Sequence, residues 1–221
     1  MTYDTSRIES DVQGAVHMDP GLIAERVRAI TVAALTDGGL DAQGLREVMS
    51  AVIRGAQQGT VPPDAERVTA LKEAVRGLDE ALAAAAQATQ LAVKEAIGRA
   101  GEFSHEGLRH SIDELATLER DFVATLSEAA RNTSGLARST LQDLAEHVRS
   151  SGSETGARVR DALSQLAQAG TDLARAQVDG GVRTLRNQAE LVASLAAGLL
   201  RGMADRLHRT PPEQSGPDQP S

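Results

Sequence analysis

A chain of 221 residues with no cysteine and no tryptophan, whose aromatic residues are Tyr3, Phe103 and Phe122 alone, is neither a disulfide scaffold nor a thiolate metal site, and it lacks the stacking platforms of a single-strand nucleic-acid binder. Alanine occurs 37 times and leucine 24, against 48 Val, Ile, Leu and Phe residues in all, so a β-sandwich or barrel is disfavoured and an all-α fold is expected. The formal net charge of −8 sets an acidic body against duplex nucleic acid, whose binding rests on phosphate neutralisation.

Residues 1–18 read as a loose, disordered tail. Asp19-Pro20 then places an N-cap before a proline at the first helical position, with Met18 and Ile23 spaced as a hydrophobic staple. This helix is expected to stop at Asp37-Gly38-Gly39. A second helix begins at Asp41, carries Leu45, Val48, Met49, Val52 and Ile53 on one face, and ends near Gly55–Gly59. The two are expected to form a helical hairpin over 19–59.

Thr60-Val61-Pro62-Pro63-Asp64 is the clearest break in the chain, and residues 64–210 contain no proline. Three apolar stripes cover this stretch. The first runs Val68, Leu71, Val75, Leu78, Leu82 and Ala85. The second runs from Leu108 through Ile112, Leu115, Leu118, Phe122 and Leu126 to Leu141 and Val148, with a mean step of about 3.6 residues. The third runs from Val159 to Leu207 with a step of about 3.7, which disfavours a left-handed heptad coil. Breaks are expected at 98–107 and at 150–156, and only weakly at Asn132–Gly135, because the stripe continues through it. Three long amphipathic helices, 64–98, 104–150 and 156–208, follow as a second domain, 64–209. The last would be roughly 80 Å long. Since alanine offers little apolar area to bury, at roughly 25 cal/mol per Å², thin helix contacts or self-association are expected in place of a thick core. Leu108, Ile112, Leu115, Phe122 and Leu126 are the candidate packing residues. The ending TPPEQSGPDQPS reads as a disordered tail over 210–221.

The constellations that carry chemistry are weak. His105 and His110 stand five residues apart, about 140° around a helix, whereas the zinc-binding helix motif needs four. His17, His147 and His208 stand alone. The neighbouring carboxylates Asp79-Glu80 and Asp113-Glu114 point different ways along a helix and read as solvated faces, not as a general acid and base converging in a cleft. No glycine-rich phosphate loop is present. No catalytic residue, cofactor site, metal site or small-molecule substrate is therefore expected, and no enzymatic activity.

The most suggestive segment is NQAELVASLAAGLLRGMADRLHR, residues 187–209. Val192, Leu195, Leu199, Met203 and Leu207 lie on one broad apolar face, and the stretch 157–209 holds 8 arginines against 5 acids. Two readings compete: packing on other helices or a second subunit, and lying in a lipid or polymer interface. The longest apolar run, Leu191–Leu200, is ten residues interrupted by Ser194, half of the roughly 20 a membrane span requires. With a polar, acidic N-terminus and no leader-like segment, a cytoplasmic protein is expected.

LREVMSAVIRGA (45–56), GLDEALAAAAQATQLAVKEA (77–96) and EFSHEGLRHSIDELATLERDFVATLSEAA (102–130) resemble an uncharacterised bacterial family of alanine-rich helical proteins. More distantly, the chain is similar in style to phasins, the helical proteins that coat polyhydroxyalkanoate granules. The first resemblance implies no function, and the second implies a surface coat without catalytic residues. The expectation is an all-α protein, a short N-terminal hairpin followed by long amphipathic helices in an elongated bundle or coiled-coil-like array. It would be a non-catalytic structural or interaction protein, binding itself, a protein partner, or a lipid or polymer surface.

Overall fold

Seven helices follow one another along the described residues: α1 (Thr5–Ala15), α2 (Pro20–Gly38), α3 (Ala42–Gly59), α4 (Ala65–Gly98), α5 (His105–Arg131), α6 (Gly135–Ser151) and α7 (Glu154–Ala176). The computed structural model describes residues 4–38, 41–60, 64–98 and 105–176, and within them the side chains of all but 38, 97–98, 105–110 and 169–176. The fold is all-α, with no strand among the described residues.

The first correction falls on residues 1–18. A helix occupies most of that stretch. Asp4 caps it by accepting a hydrogen bond from the Arg7 N–H at 3.0 Å. Ile8, Val12 and Val16, four residues apart, put one buried face along it. That face lies on α3, where Gly55 and Gly59 clear the ground. A Cβ on Gly55 would stand 3.0 Å from the Val12 Cβ, and one on Gly59 would strike the Val16 side chain. Arg54 of α3 closes the edge of this contact, donating from Nε and Nη2 to Glu9 at 2.9 and 2.7 Å.

The second correction concerns the hairpin. Helices α2 and α3 occupy the expected residues. Asp19 accepts from the Gly21 N–H at 2.8 Å and Asp41 from the Gly44 N–H at 2.8 Å. They are not, however, each other's main partners: α3 packs chiefly on α1, and α2 chiefly on α4. Gly77 is the reason α2 can come so close, because a Cβ there would stand 3.0 Å from the Ala24 Cα and press on the Ala24 carbonyl oxygen. The expected staple is also absent as a source of cover, since Ile23 is fully buried while Met18 is 44% exposed.

Helix α4 is the axis of the molecule. Asp64 caps it through the Arg67 N–H at 2.9 Å, and its 34 residues span roughly 50 Å. Leu71, Val75, Leu78 and Leu82 are buried as the first stripe implies, but so are Ala74, Ala81, Ala83, Ala86 and Ala88. The buried positions go around the helix, so α4 is covered on several sides, by α2, α3, α5, α6 and α7. Alanine makes this possible, because short side chains let helix axes approach toward the lower end of the 8–10 Å range. A thick core is thus built with little side-chain volume, contrary to the thin contacts expected from composition. One apolar cluster runs from Ile8 to Leu166, so the expected division at Thr60–Asp64 into hairpin and long-helix domain does not divide the core.

The third correction is the helix expected over 104–150. It is two helices, α5 and α6. The chain turns at Asn-Thr-Ser, and Gly135 begins α6 at φ 60°, a conformation that glycine reaches without steric cost. Arg138 Nε ties the turn by donating to the Thr133 carbonyl at 2.7 Å. Helix α6 then doubles back, so that Val148 and Arg149 near its end stand across a cleft from Val123 and Ser127 of α5. The stripe continues through the turn because both helices point it at the same core: Phe122, Leu126 and Leu141 are all fully buried. A second sharp turn at Gly152, φ 84°, launches α7, which returns along α4 and α5.

Candidate functional site

The most organised polar arrangement among the described residues surrounds the start of α7. The first amides of a helix have no partner within it, and here another helix supplies one. Asp79, midway along α4, accepts from the Glu154 N–H at 2.9 Å through Oδ2 and from the Thr155 N–H at 3.0 Å through Oδ1. The Thr155 hydroxyl donates back to the Asp79 carbonyl oxygen at 3.0 Å, and Thr155 is completely buried. Ser153 accepts from the Gly156 N–H at 2.8 Å. Glu119 of α5 closes the other side. A Cβ on Gly156 would collide with its carboxylate, and that carboxylate accepts from the Ser153 hydroxyl at 3.4 Å and from Arg160 Nη1 at 3.4 Å. Two carboxylates at the positive end of a helix dipole are electrostatically well placed.

The carboxylate pairs expected to be solvated faces are therefore divided. Of the first, Asp79 caps α7, while Glu80 accepts from Arg76 Nη1 at 2.9 Å. Arg76 also pairs with Glu73. The hydrogen bond to Glu73, with the charges of Glu73 and Glu80, holds the Arg76 pKa above its usual value. Of the second pair, Asp113 is exposed, while Glu114 is half-buried and accepts from the Ala42 N–H at 3.3 Å, at the start of α3. One member of each pair thus caps a helix distant in sequence. No motif announces this, because the partner is about 70 residues away in each case.

Beside the α7 start, an open cleft of about 660 Å³ lies between α5 and the α6–α7 turn. Arg120, Arg149 and Arg160 line it together with Val123 and Val148. A smaller hollow of about 260 Å³ between α2, α4 and α7 carries Arg28 and Arg158 against Glu80 and Glu154.

The residues singled out from the sequence fall as follows. Leu115, Phe122 and Leu126 are buried, with 3%, 0% and 0% exposure, and Ile112 packs half-buried against the core. The side chain of Leu108 lies outside the described residues, as do Val192, Leu195, Leu199, Met203 and Leu207, the side chains of His105 and His110, and all of His208. His17 and His147 are exposed. Among the described residues no group of three or more His, Asp or Glu side chains could hold a metal ion, and no helix is long and apolar enough to cross a membrane.

The chain belongs to the family of unknown function DUF6781. The family model matches residues 1–209, so it takes in every helix described above. No curated protein and no solved structure matches the chain. Membership in DUF6781 agrees with the resemblance to an uncharacterised family of helical proteins, and it brings no activity with it.

Proposed function

We propose that this protein is a non-catalytic structural or interaction module: a self-contained helical body that presents a further amphipathic segment, residues 187–209, to a second copy of itself or to a protein partner. The observation that carries this reading is the way the described helices use up their own apolar faces. Leu115, Phe122, Leu126 and Leu141 are covered within one chain. The large hydrophobic side chains left exposed among the described residues are Met18, Leu22, Leu91 and Leu136, on α2, α4, α6 and the α1–α2 turn. The second stripe, the candidate for helix packing, is thus covered within the chain. The polar groups that could have formed a site, Asp79, Glu114 and Glu119, are held as helix caps and ion pairs. Val192, Leu195, Leu199, Met203 and Leu207 keep helical spacing in the sequence, in a segment outside the described residues.

The test is the mass of the full chain in solution by sedimentation, beside the Leu199→Glu variant. A dimer or larger species that becomes a monomer in the variant is the expected result. A chain monomeric at all concentrations would remove self-association. The second reading is a phasin-like coat on a lipid or polymer surface, favoured by the 8 arginines against 5 acids in 157–209. Flotation with anionic vesicles or polyester granules, lost in Leu199→Glu, would put that reading first.

A further inference from the structure

We propose that the cleft between α5 and the α6–α7 turn binds a phosphate monoester through Arg120, Arg149 and Arg160. The chain carries a net charge of −8, yet three arginines line this cleft against Glu119 and the Glu146 that pairs with Arg149, a local net of +1. The smaller hollow between α2, α4 and α7 is balanced, with Arg28 and Arg158 beside Glu80 and Glu154. The three guanidinium groups come from three helices. Arg120 lies on the outer face of α5, and it makes no ion pair with another described residue. Arg149 sits in the last turn of α6 and gives only Nη1 to Glu146, at 2.6 Å. Arg160, from the second turn of α7, reaches back over the turn. Its Nη1 meets Glu119 at 3.4 Å, and its Nη2 stands 3.3 Å from where a Cβ on Gly152 would be.

This arrangement leaves most of the N–H groups of three arginines without an acceptor among the described residues, around one space. A guanidinium fork matches a phosphate or carboxylate edge with two parallel hydrogen bonds. Val123, Ala124 and Val148 add apolar surface to the lining that inorganic phosphate would not use and the carbon skeleton of an ester would. A volume of about 660 Å³ lies within the range of small-molecule sites, roughly 300–1,000 Å³. The same headgroup chemistry occurs on a soluble sugar or glycerol phosphate and on phosphatidic acid in a membrane, and the experiment separates these sources.

The experiment uses the full chain at low salt. One arm is calorimetric titration with glycerol 3-phosphate. The other is flotation with phosphatidylcholine vesicles, with and without phosphatidic acid. The expected result is binding in at least one arm, weakened tenfold or more in Arg120→Ala and partly retained in Arg120→Lys. Arg120→Ala breaks no ion pair with a described residue, and an unchanged melting temperature confirms that its fold is intact. Heat in the calorimeter without flotation assigns a soluble ester. Phosphatidic-acid-dependent flotation lost in Arg120→Ala assigns a lipid headgroup. Absence of binding in both arms overturns the proposal. So does binding of equal strength in Arg120→Ala and Arg160→Ala, or flotation that these variants keep and Leu199→Glu loses.

Discussion

Asp79 and Thr155 hold each other twice across the interface of α4 and α7: the Asp79 carboxylate accepts from the Thr155 N–H at 3.0 Å, and the Thr155 hydroxyl donates to the Asp79 carbonyl at 3.0 Å. A carboxylate that caps a helix from another helix has two tasks, ending the one and docking it on the other. Asp79→Ala should cost about 0.5–2 kcal/mol, the range of N-cap losses, measured as a lower midpoint in urea with an unchanged slope. Amide exchange at Glu154 and Thr155 should accelerate more than exchange in α2. Uniform acceleration along the chain would show that the pair stabilises no particular helix.

Three glycines separate close approach from backbone conformation. Alanine exceeds glycine in helix propensity by about 1 kcal/mol, so Gly14→Ala, with nothing within 4 Å of the new Cβ, should raise the melting temperature. Gly77→Ala has the same propensity gain and should nevertheless lower it, because the Cβ meets the Ala24 backbone. Gly135→Ala also has open space around it, but at φ 60° it should be destabilised by roughly 1 kcal/mol through conformation alone. If all three changed stability in the same direction, the packing of α2 on α4 would differ from that described.

Phe122 and Leu126 are fully buried within one chain. Leu126→Ala should therefore cost about 2–5 kcal/mol, and Phe122→Ala about 3–5 kcal/mol, by thermal or denaturant unfolding, while the sedimenting mass stays that of the wild type. A fall in mass together with stability would place these side chains at a contact between copies.

Arg54 and Glu9 join α3 to α1 at the surface, with 48% and 22% of their side chains exposed. Such a pair contributes little, and Glu9→Gln should cost less than about 1 kcal/mol. The same variant should lose its remaining salt sensitivity at this position when melted at low and high ionic strength. A cost of several kcal/mol would mean that the pair orders α1 itself.

Helical period and capping residues made most of the fold legible. Asp19 and Asp41 each cap a helix where their positions before an apolar stripe imply, and the stripe through Phe122 names buried residues. The tail expected over 1–18 hid a helix because its stripe has just three members, Ile8, Val12 and Val16, in polar surroundings. The turn before Gly135 was masked by a stripe that keeps phase across it. Helix partners were not legible, because α1 chooses α3 through Gly55 and Gly59, and absent side chains leave no apolar mark in a sequence. The polar site was legible only as scattered charges. Asp79 serves an amide 76 residues away, and Arg120, Arg149 and Arg160 share a cleft only once α6 has doubled back.

The alternation of partners, α1 with α3 and α2 with α4, also governs the order of events during synthesis. Helix α2 ends at Gly38 and its main partner ends at Gly98. At ribosomal rates of about 5–20 residues per second, α2 waits on the order of 3–12 s before the whole surface it is to cover has been made. Throughout that interval Ile23, Val27 and Leu35 have lost neither their apolar character nor their need of cover. The nascent chain, and any fragment cut at the Pro62-Pro63 break, is therefore the form of this protein most open to chaperones and to aggregation.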